Sequence, residues 1–588
     1  MSDRALAVLA RRAGLSPVWE DAHGKKRTVA PDTLRTVLAA LGYAAASPSQ
    51  IAESLGALKT PQSKPKAAKP PRRARSLKSD RKMWALAAQI YALRGKTASD
   101  IGDFAALAEL AEEAAARGAD AVAISPVHAL FGARPSNISP YSPSTRFFLN
   151  PLYIPVPGEN DRDALIDWPR VHARRMRALK ASFERFKGDA RFDAFVRQGG
   201  ERLLNHARFE VLDARFVARC VFGWRNWPAE WRNAASTSVR ALDAHDAHDA
   251  DVRFQLFLQW KAASALADAQ ARAKSTGMKI GLIADIAVGV DPDGSQAWSQ
   301  PTEMLDGLNI GAPPDIFNPA GQDWGLTTFS PTGLRASRFD GFRATLQAAM
   351  RHAGAIRLDH AMGLRRLWVI PRGGRSENGV YLHYPADEMM NLIAEESLKN
   401  DCAVIAEDLG TVPRGFRRQI ARHTFYGMRV LWFERDRQGR FLPPQGYEAD
   451  ATALSTTHDL PTIAGWWTGR DIAWRRKVGA TLADTKRAER TRAADRRKLW
   501  RALKDAGHAQ GALPHAPSSV IDGSLSFLGE TPCPLVIVPA EDLLGLREQP
   551  NLPGTIDQHP NWRRRLPPVF NSKTARRRAT RLTESREP

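Results

Sequence analysis

Ala355-Ile-Arg-Leu-Asp359-His360, Ala403-Val-Ile-Ala-Glu407-Asp408 and Leu454-Ser-Thr-Thr-His458-Asp459 share one design, a run of strand-forming residues that ends on an acid. A carboxylate at the end of a buried strand is costly unless it has partners or a task. The three segments lie about 50 residues apart. That is room for a strand, a helix and two loops, so they fit a parallel barrel whose chemistry gathers at the strand C-termini.

Working outward, Trp84 to Gln89, Ala121 to Ser125, Lys279 to Val288, Met428 to Phe433 and Leu535 to Val538 have the same short apolar character. Together with Ala355 to Leu358, Ala403 to Ala406 and Leu454 to Thr457 they make eight candidate strands. Amphipathic stretches such as Phe104 to Arg117 separate them. Short apolar runs alternating with helical patterns predict an α/β fold, a (β/α)₈ barrel. The second and third runs are more than 150 residues apart, and residues 160 to 275 carry Ala, Arg and Trp at helical spacing, which predicts a large helical insertion. Ahead of the barrel, residues 1 to 60 alternate helical patterns with Gly14, Gly24 and Gly42 and read as a small helical domain. Residues 61 to 80 read as a basic, Pro-rich, mobile linker, 81 to 571 as the catalytic barrel, and 572 to 588 as a basic disordered tail.

At 588 residues the chain exceeds one ordinary core, and 43% hydrophobic with 25% charged residues suits a soluble globular protein. The N-terminus lacks a long apolar h-region, and no window approaches the roughly 18 apolar residues that span a bilayer. The expectation is a cytoplasmic protein with no membrane partner. Cys220, Cys402 and Cys533 are odd in number and form no CxxC pair, so neither a disulfide framework nor a zinc site is expected. A formal charge of +22 and a pI near 10.2 invite a nucleic-acid reading. Much of the excess, however, sits in Lys64 to Lys82 and Lys573 to Arg586, which lack interleaved aromatics, so no specific nucleic-acid partner is expected.

The neighbours of the three acids separate their roles. Arg357, two residues before Asp359, points to the same side of an extended strand, and a fixed guanidinium there favours an ionised carboxylate, a nucleophile. Glu407 follows Val-Ile-Ala, an apolar setting that raises a carboxyl pKa and suits a general acid. Opposed carboxyls across a scissile bond are what glycoside chemistry requires, and a nucleophile and acid pair gives retention through a covalent intermediate. Asp459, after His458, is then placed to hold sugar hydroxyls and help distort the ring. Taken singly, each feature has a plainer reading. An Asp beside an Arg is commonly a structural ion pair, Asp408 competes with Glu407 although it faces the other side of a strand, and His360 and His458 could be core histidines. Three strand-end acids, two of them beside a histidine, favour chemistry.

At these residues the chain resembles the 4-α-glucanotransferases, the amylomaltase or disproportionating-enzyme family related to the α-amylases. The likeness runs through Ile101-Gly-Asp-Phe104, Ser139-Pro-Tyr141-Ser, Asn150-Pro-Leu, Gly311-Ala-Pro-Pro-Asp315 and Gly321-Gln-Asp-Trp324-Gly. It continues through the trio to Asn551-Leu-Pro-Gly-Thr555 and Asn561-Trp562-Arg563. The resemblance implies that Asp359 is the nucleophile, Glu407 the acid/base and Asp459 the transition-state stabiliser, with Arg357, His360 and His458 around the sugar. It further implies that Tyr141 stacks on a glucose unit, and that Asp315, Phe317, Gln322 and Trp324 touch substrate from a loop over the site, residues 306 to 325. Asp285, at the equivalent of the superfamily's first conserved strand, takes a structural or sugar-orienting role. Leu460-Pro461-Thr462 after the third acid and Ile316 in place of an aromatic depart from compact members and resemble the longer bacterial form.

The expected activity is transfer of α-1,4-glucan segments between maltooligosaccharides, with no metal and no organic cofactor. The alternatives are an α-glucan hydrolase and a non-catalytic glucan-binding protein. Asp243 to Asp251, with interleaved His245 and His248, has the look of metal ligands but equally suits a solvated polar stretch. Asp291-Pro-Asp293-Gly-Ser295 lacks the later Glu of a calcium loop and reads as a turn. No phosphate-binding glycine loop and no GxSxG elbow occurs.

Overall fold

Strands buried on both faces need uninterrupted apolar runs, and all eight such runs are strands of one closed parallel barrel. They are β1 (Met83–Ala88), β2 (Ala121–Ile124), β3 (Gly281–Ile286), β4 (Ala355–Leu358), β5 (Ala403–Ala406), β6 (Tyr426–Val430), β7 (Ala451–Leu454) and β8 (Leu535–Pro539). Neighbours pair in chain order, and β8 closes on β1 from Leu535 opposite Met83 to Pro539 opposite Ala87. The computed structural model describes residues 2–21, 24–58, 70–159, 163–243, 246–315 and 320–587. No helix among them is long and apolar enough to cross a membrane.

The seventh run is shifted: β7 ends at Leu454, so Asp459 stands on the following loop rather than at a strand end, unlike Asp359 and Glu407. The βα repeat also lapses once, because a 3₁₀ turn at Pro444–Gly446 is the one helical element described between β6 and β7. Elsewhere helices flank the sheet as expected. Phe104–Ala115 starts where the Asp103 carboxylate accepts from the amides of Ala105 and Ala106, satisfying donors a helix N-terminus leaves open. Between β2 and β3, Trp168–Glu184, Ala190–Val217 and Asp246–Ser275 supply the helical insertion.

The segment read as a loop over the site is a hairpin. Leu308–Ala312 and Gln322–Leu326 pair antiparallel and join a five-stranded sheet with Arg366–Pro371, Val380–His383 and Leu15–Ser16. Its glycines and prolines obscured the strands, yet Gly311 is required by them: a Cβ there would lie 1.9 Å from the Gln322 carbonyl oxygen. Leu15–Ser16 ties the N-terminal region, whose helices are Ser2–Arg12, Pro31–Ala40 and Pro48–Ala57, to this sheet.

Two expectations of mobility are corrected. Residues 61–69 of the linker lie outside the described residues, but 70–80 are anchored: Arg75 bridges Ala403, and the amide of Leu77 donates to the Tyr426 hydroxyl. The basic tail is the last barrel helix, Lys573–Glu584. Its charge masked an apolar stripe of Ala575, Ala579 and Leu582, all fully buried, at helical spacing. Beyond it Arg586, 1% exposed, donates to the carbonyls of Met83, Gly529, Thr531 and Cys533.

Candidate active site

The register of adjacent parallel strands builds the site. Arg357 on β4 is the Cα partner of Asp285 on β3, so both side chains project on the same side, at the barrel mouth. Arg357 Nη1 lies 2.8 Å from each Asp285 oxygen, and Nη2 lies 2.9 Å from Asp359 Oδ1. The guanidinium pairing expected from sequence is present, and it holds two carboxylates rather than one. Burial raises the pKa of Asp285, with Arg357 opposing.

Glu407 follows β5 and is 7% exposed. Its Oε2 accepts from the amide of His360 at 2.8 Å and its Oε1 from that of Leu409 at 2.6 Å. His360 adopts a left-handed backbone, φ 45°, an uncommon conformation for a side chain-bearing residue, and this turn aims its amide at Glu407. Burial drives the Glu407 pKa up to about 7, Arg357 opposing and Asp359 assisting. Burial also pushes the His360 imidazole down to about 4. Asp408, the competitor, is fully buried and bound by Arg429 and Arg417, which makes it structural.

Asp459 Oδ1 accepts from the Asn551 amide at 2.6 Å, and Oδ2 is 3.4 Å from His458 Nε2. Its side chain is 43% exposed. Burial works to raise its pKa, but His458 and Asn551 outweigh this and hold it below the ordinary value; His458 is correspondingly raised against the pull of burial. The Tyr141 hydroxyl donates to Asp285 Oδ2 at 2.6 Å and lies 3.2 Å from His458 Nδ1. Tyr141 also stacks on the His458 ring at 4.6 Å. A continuous polar chain therefore runs Asp359, Arg357, Asp285, Tyr141, His458, Asp459. Small residues opposite, Ala87 on β1 and Ala123 on β2, leave room for a cavity of about 750 Å³ that is open to solvent.

Of the expected hairpin residues, Trp324 meets His360 edge-on at 5.1 Å and donates to Gln322 Oε1 at 3.3 Å. Asp315 is half-buried at the hairpin tip. Phe317 and Ile316 lie outside the described residues, as do the side chains of 243–249. Sequence reasoning passed over Glu541, which follows β8 and lines the cavity, with its pKa pushed by burial to about 7. The signal was the one used for the trio, an acid after an apolar strand. Asn551 and Trp562 lay in quoted motifs without an assigned task; Trp562 is 5.6 Å from Tyr141 and 5.5 Å from His458.

Residues 88–571 match the sequence profile of the 4-alpha-glucanotransferase family. A 4-alpha-glucanotransferase of Mycobacterium tuberculosis is 36% identical over 520 residues, covering 82% of this chain and 71% of that protein. One of Haemophilus influenzae is 33% identical over 532 residues, covering 83% and 76%. Among solved structures, the amylomaltase from Corynebacterium glutamicum has the same fold, with a TM-score of 0.85 at 24% identity over 100% of both chains. An amylomaltase from Streptococcus agalactiae, solved in complex with acarbose, reaches 0.70 at 20% identity over 86% of this chain and 98% of that one. The chain belongs to the 4-alpha-glucanotransferase family and is an enzyme of that type.

Proposed function

We propose that the enzyme transfers α-1,4-glucan segments by a retaining double displacement, with Asp359 as nucleophile and Glu407 as acid/base. The observation that carries this is the contrast between the two carboxyls that follow β4 and β5. Asp359 is ion-paired with Arg357, whereas Glu407 is buried, with a pKa near 7. A carboxyl poised there donates and recovers a proton in one cycle.

In the first step an Asp359 oxygen attacks the anomeric carbon, the glycosidic bond breaks, and Glu407 protonates the departing oxygen of the reducing-end fragment. In the second step Glu407 takes the proton from the 4-hydroxyl of an acceptor glucan, whose oxygen attacks the same carbon and releases Asp359. Two inversions give net retention. Asp459, oriented by Asn551 and His458, accepts hydrogen bonds from sugar hydroxyls and favours a distorted ring. Arg357, with Asp285 and Tyr141 behind it, fixes the nucleophile, and Tyr141 and Trp324 offer aromatic faces to the pyranose. His360, neutral above pH 4, and Asp315 and Gln322 of the hairpin contact hydroxyls; Phe317 joins them in this reading. The expected substrates are maltooligosaccharides and longer α-1,4-glucans, and the acarbose bound by the Streptococcus agalactiae enzyme is consistent with that class.

The test is maltotriose incubated with purified enzyme. A ladder of longer oligosaccharides with released glucose is expected, and maltose plus glucose alone would establish water as the acceptor and reject transfer.

A further inference from the structure

Residues 470–505 carry 13 Lys and Arg against five Asp and Glu, a net +8 of the chain's +22. They form the helices Arg470–Lys477 and Leu482–Asp505. On the longer helix Lys486, Arg490, Arg497, Arg501 and Lys504 are all exposed. At 3.6 residues per turn these five fall within one sector of about 60°, and at 1.5 Å per residue they run about 27 Å along the axis. The acids of this helix, Asp484, Glu489, Asp495 and Asp505, fall outside that sector. Among the described residues only Arg501 of the five has an acid within ion-pair reach, the exposed Asp505 at 3.7 Å. Like charges at i,i+4, as in Lys486 with Arg490 and Arg497 with Arg501, oppose helix formation. The stripe therefore works against its own helix, and what holds the helix lies on its other side.

That other side is fastened at the barrel mouth. Leu499, Trp500 and Leu503 are buried, and Asp495 accepts from Arg435, five residues beyond the end of β6, at 2.8 Å. Arg492 pairs with Asp471 at 2.7 Å and donates to the Trp466 carbonyl. Trp466 stands on the helix Ile463–Thr468, which starts four residues after Asp459, and stacks at 4.6 Å on Trp432, just past β6. Segments that leave the strand C-termini of such a barrel build its active-site face. The stripe thus borders the rim on which Asp459 stands.

We propose that this stripe docks α-glucan chains bearing phosphate monoesters, holding an anionic stretch of polymer at the rim while a neutral stretch occupies the cleft. It rests on the α-glucan reading of the cleft given above. A neutral glucan draws no electrostatic attraction from five aligned cations, whereas a phosphorylated one is complementary to them. Three of the five are Arg, whose planar forks match phosphate oxygens in geometry and charge. The helix's one aromatic, Trp500, is 7% exposed, so the stripe offers no ring on which the bases of a single strand would stack.

The test is isothermal titration of the full chain with maltodextrin phosphorylated on its 6-hydroxyls and, separately, with the unmodified parent maltodextrin. At an ionic strength of about 0.02 M the phosphorylated chain should bind at least tenfold more tightly, and the advantage should vanish at about 0.5 M, where the screening length is about 4 Å. The triple variant Lys486→Glu, Arg490→Glu, Arg497→Glu should bind the two probes alike while disproportionating maltotriose at the wild-type rate. If it does not fold, Arg490→Gln with Arg497→Gln should show the same loss in part. Equal binding of the two probes by wild type, or an advantage that survives in the folded variants, overturns the proposal. Tighter binding of duplex RNA than of the phosphorylated maltodextrin overturns it in favour of nucleic acid. A preference for the phosphorylated probe in a protein that leaves maltotriose unchanged would reject the transfer reading and uphold the stripe.

Discussion

Replacing Glu407 with glutamine removes an acid whose ionisation the fold opposes, so the variant should gain stability relative to wild type as pH rises while losing transfer. Burial lifts the carboxyl from 4.5 to about 7. Below pH 4.5 the group is protonated in both folded and unfolded chains and contributes no pH dependence. Between 4.5 and 7 the folded chain holds the proton that the unfolded chain has released, so wild-type stability falls with rising pH; above 7 the full penalty applies. At about 1.4 kcal/mol per pKa unit, the wild type loses about 2 to 3 kcal/mol between pH 5 and pH 8 through this group. The variant lacks that loss. Glutamine offers one oxygen where the amides of His360 and Leu409 engage two, and an unpaired buried donor costs about 1 to 3 kcal/mol. That cost is the same at both pH values, so the change with pH isolates the carboxyl. With an unfolding entropy of about 2.1 cal/mol/K per residue, the chain has about 1.2 kcal/mol/K in all, so the melting temperature of the variant relative to wild type should rise by about 2 °C from pH 5 to pH 8. Differential scanning calorimetry at the two pH values measures this. An offset that is identical at both, or larger at pH 5, refutes the claim that the fold holds Glu407 protonated, and with it the acid/base assignment.

Tyr141→Phe deletes the hydroxyl that donates to Asp285 at 2.6 Å; losing a hydrogen bond to a buried carboxylate is worth about 1.5 to 3 kcal/mol, and kcat/KM on maltotriose should fall about 10- to 100-fold with the fold intact by circular dichroism. Arg586→Ala leaves four buried carbonyls without this donor; at about 1 to 3 kcal/mol for each acceptor left unsatisfied the chain should lose stability, read by thermal melting, and unchanged melting would restore a disordered tail.

Barrel strands sandwiched between an interior and a helical layer must be apolar throughout, and acids that interrupt such runs stand out. The eight strands, the helical insertion and the carboxylate trio were therefore legible in residue order alone, as was the Arg357–Asp359 pairing, which spans two positions of one strand. Local composition misled where it opposed packing. Within the Gly- and Pro-rich stretch, Leu308–Ala312 and Gln322–Leu326 pair as strands because Gly311 permits their close approach, and the arginine-rich C-terminus packs one face of a helix into the core while Arg578 and Arg586 find buried acceptors. Arg578 binds Asp522 at 2.7 Å and the Leu543 carbonyl at 2.8 Å.

The amino-acid sequence by itself determined the barrel, the insertion and which acids stand at its mouth, since these depend on neighbours within a few positions. Tertiary structure alone decided that Arg357 serves two carboxylates, that Tyr141 and His458 relay between Asp285 and Asp459, and that Glu541 faces the same cavity. Those contacts join residues 72, 144 and 317 positions apart. The electrostatic state of a buried group is set by whatever the fold brings within a few ångströms of it, and one-dimensional spacing does not carry that information.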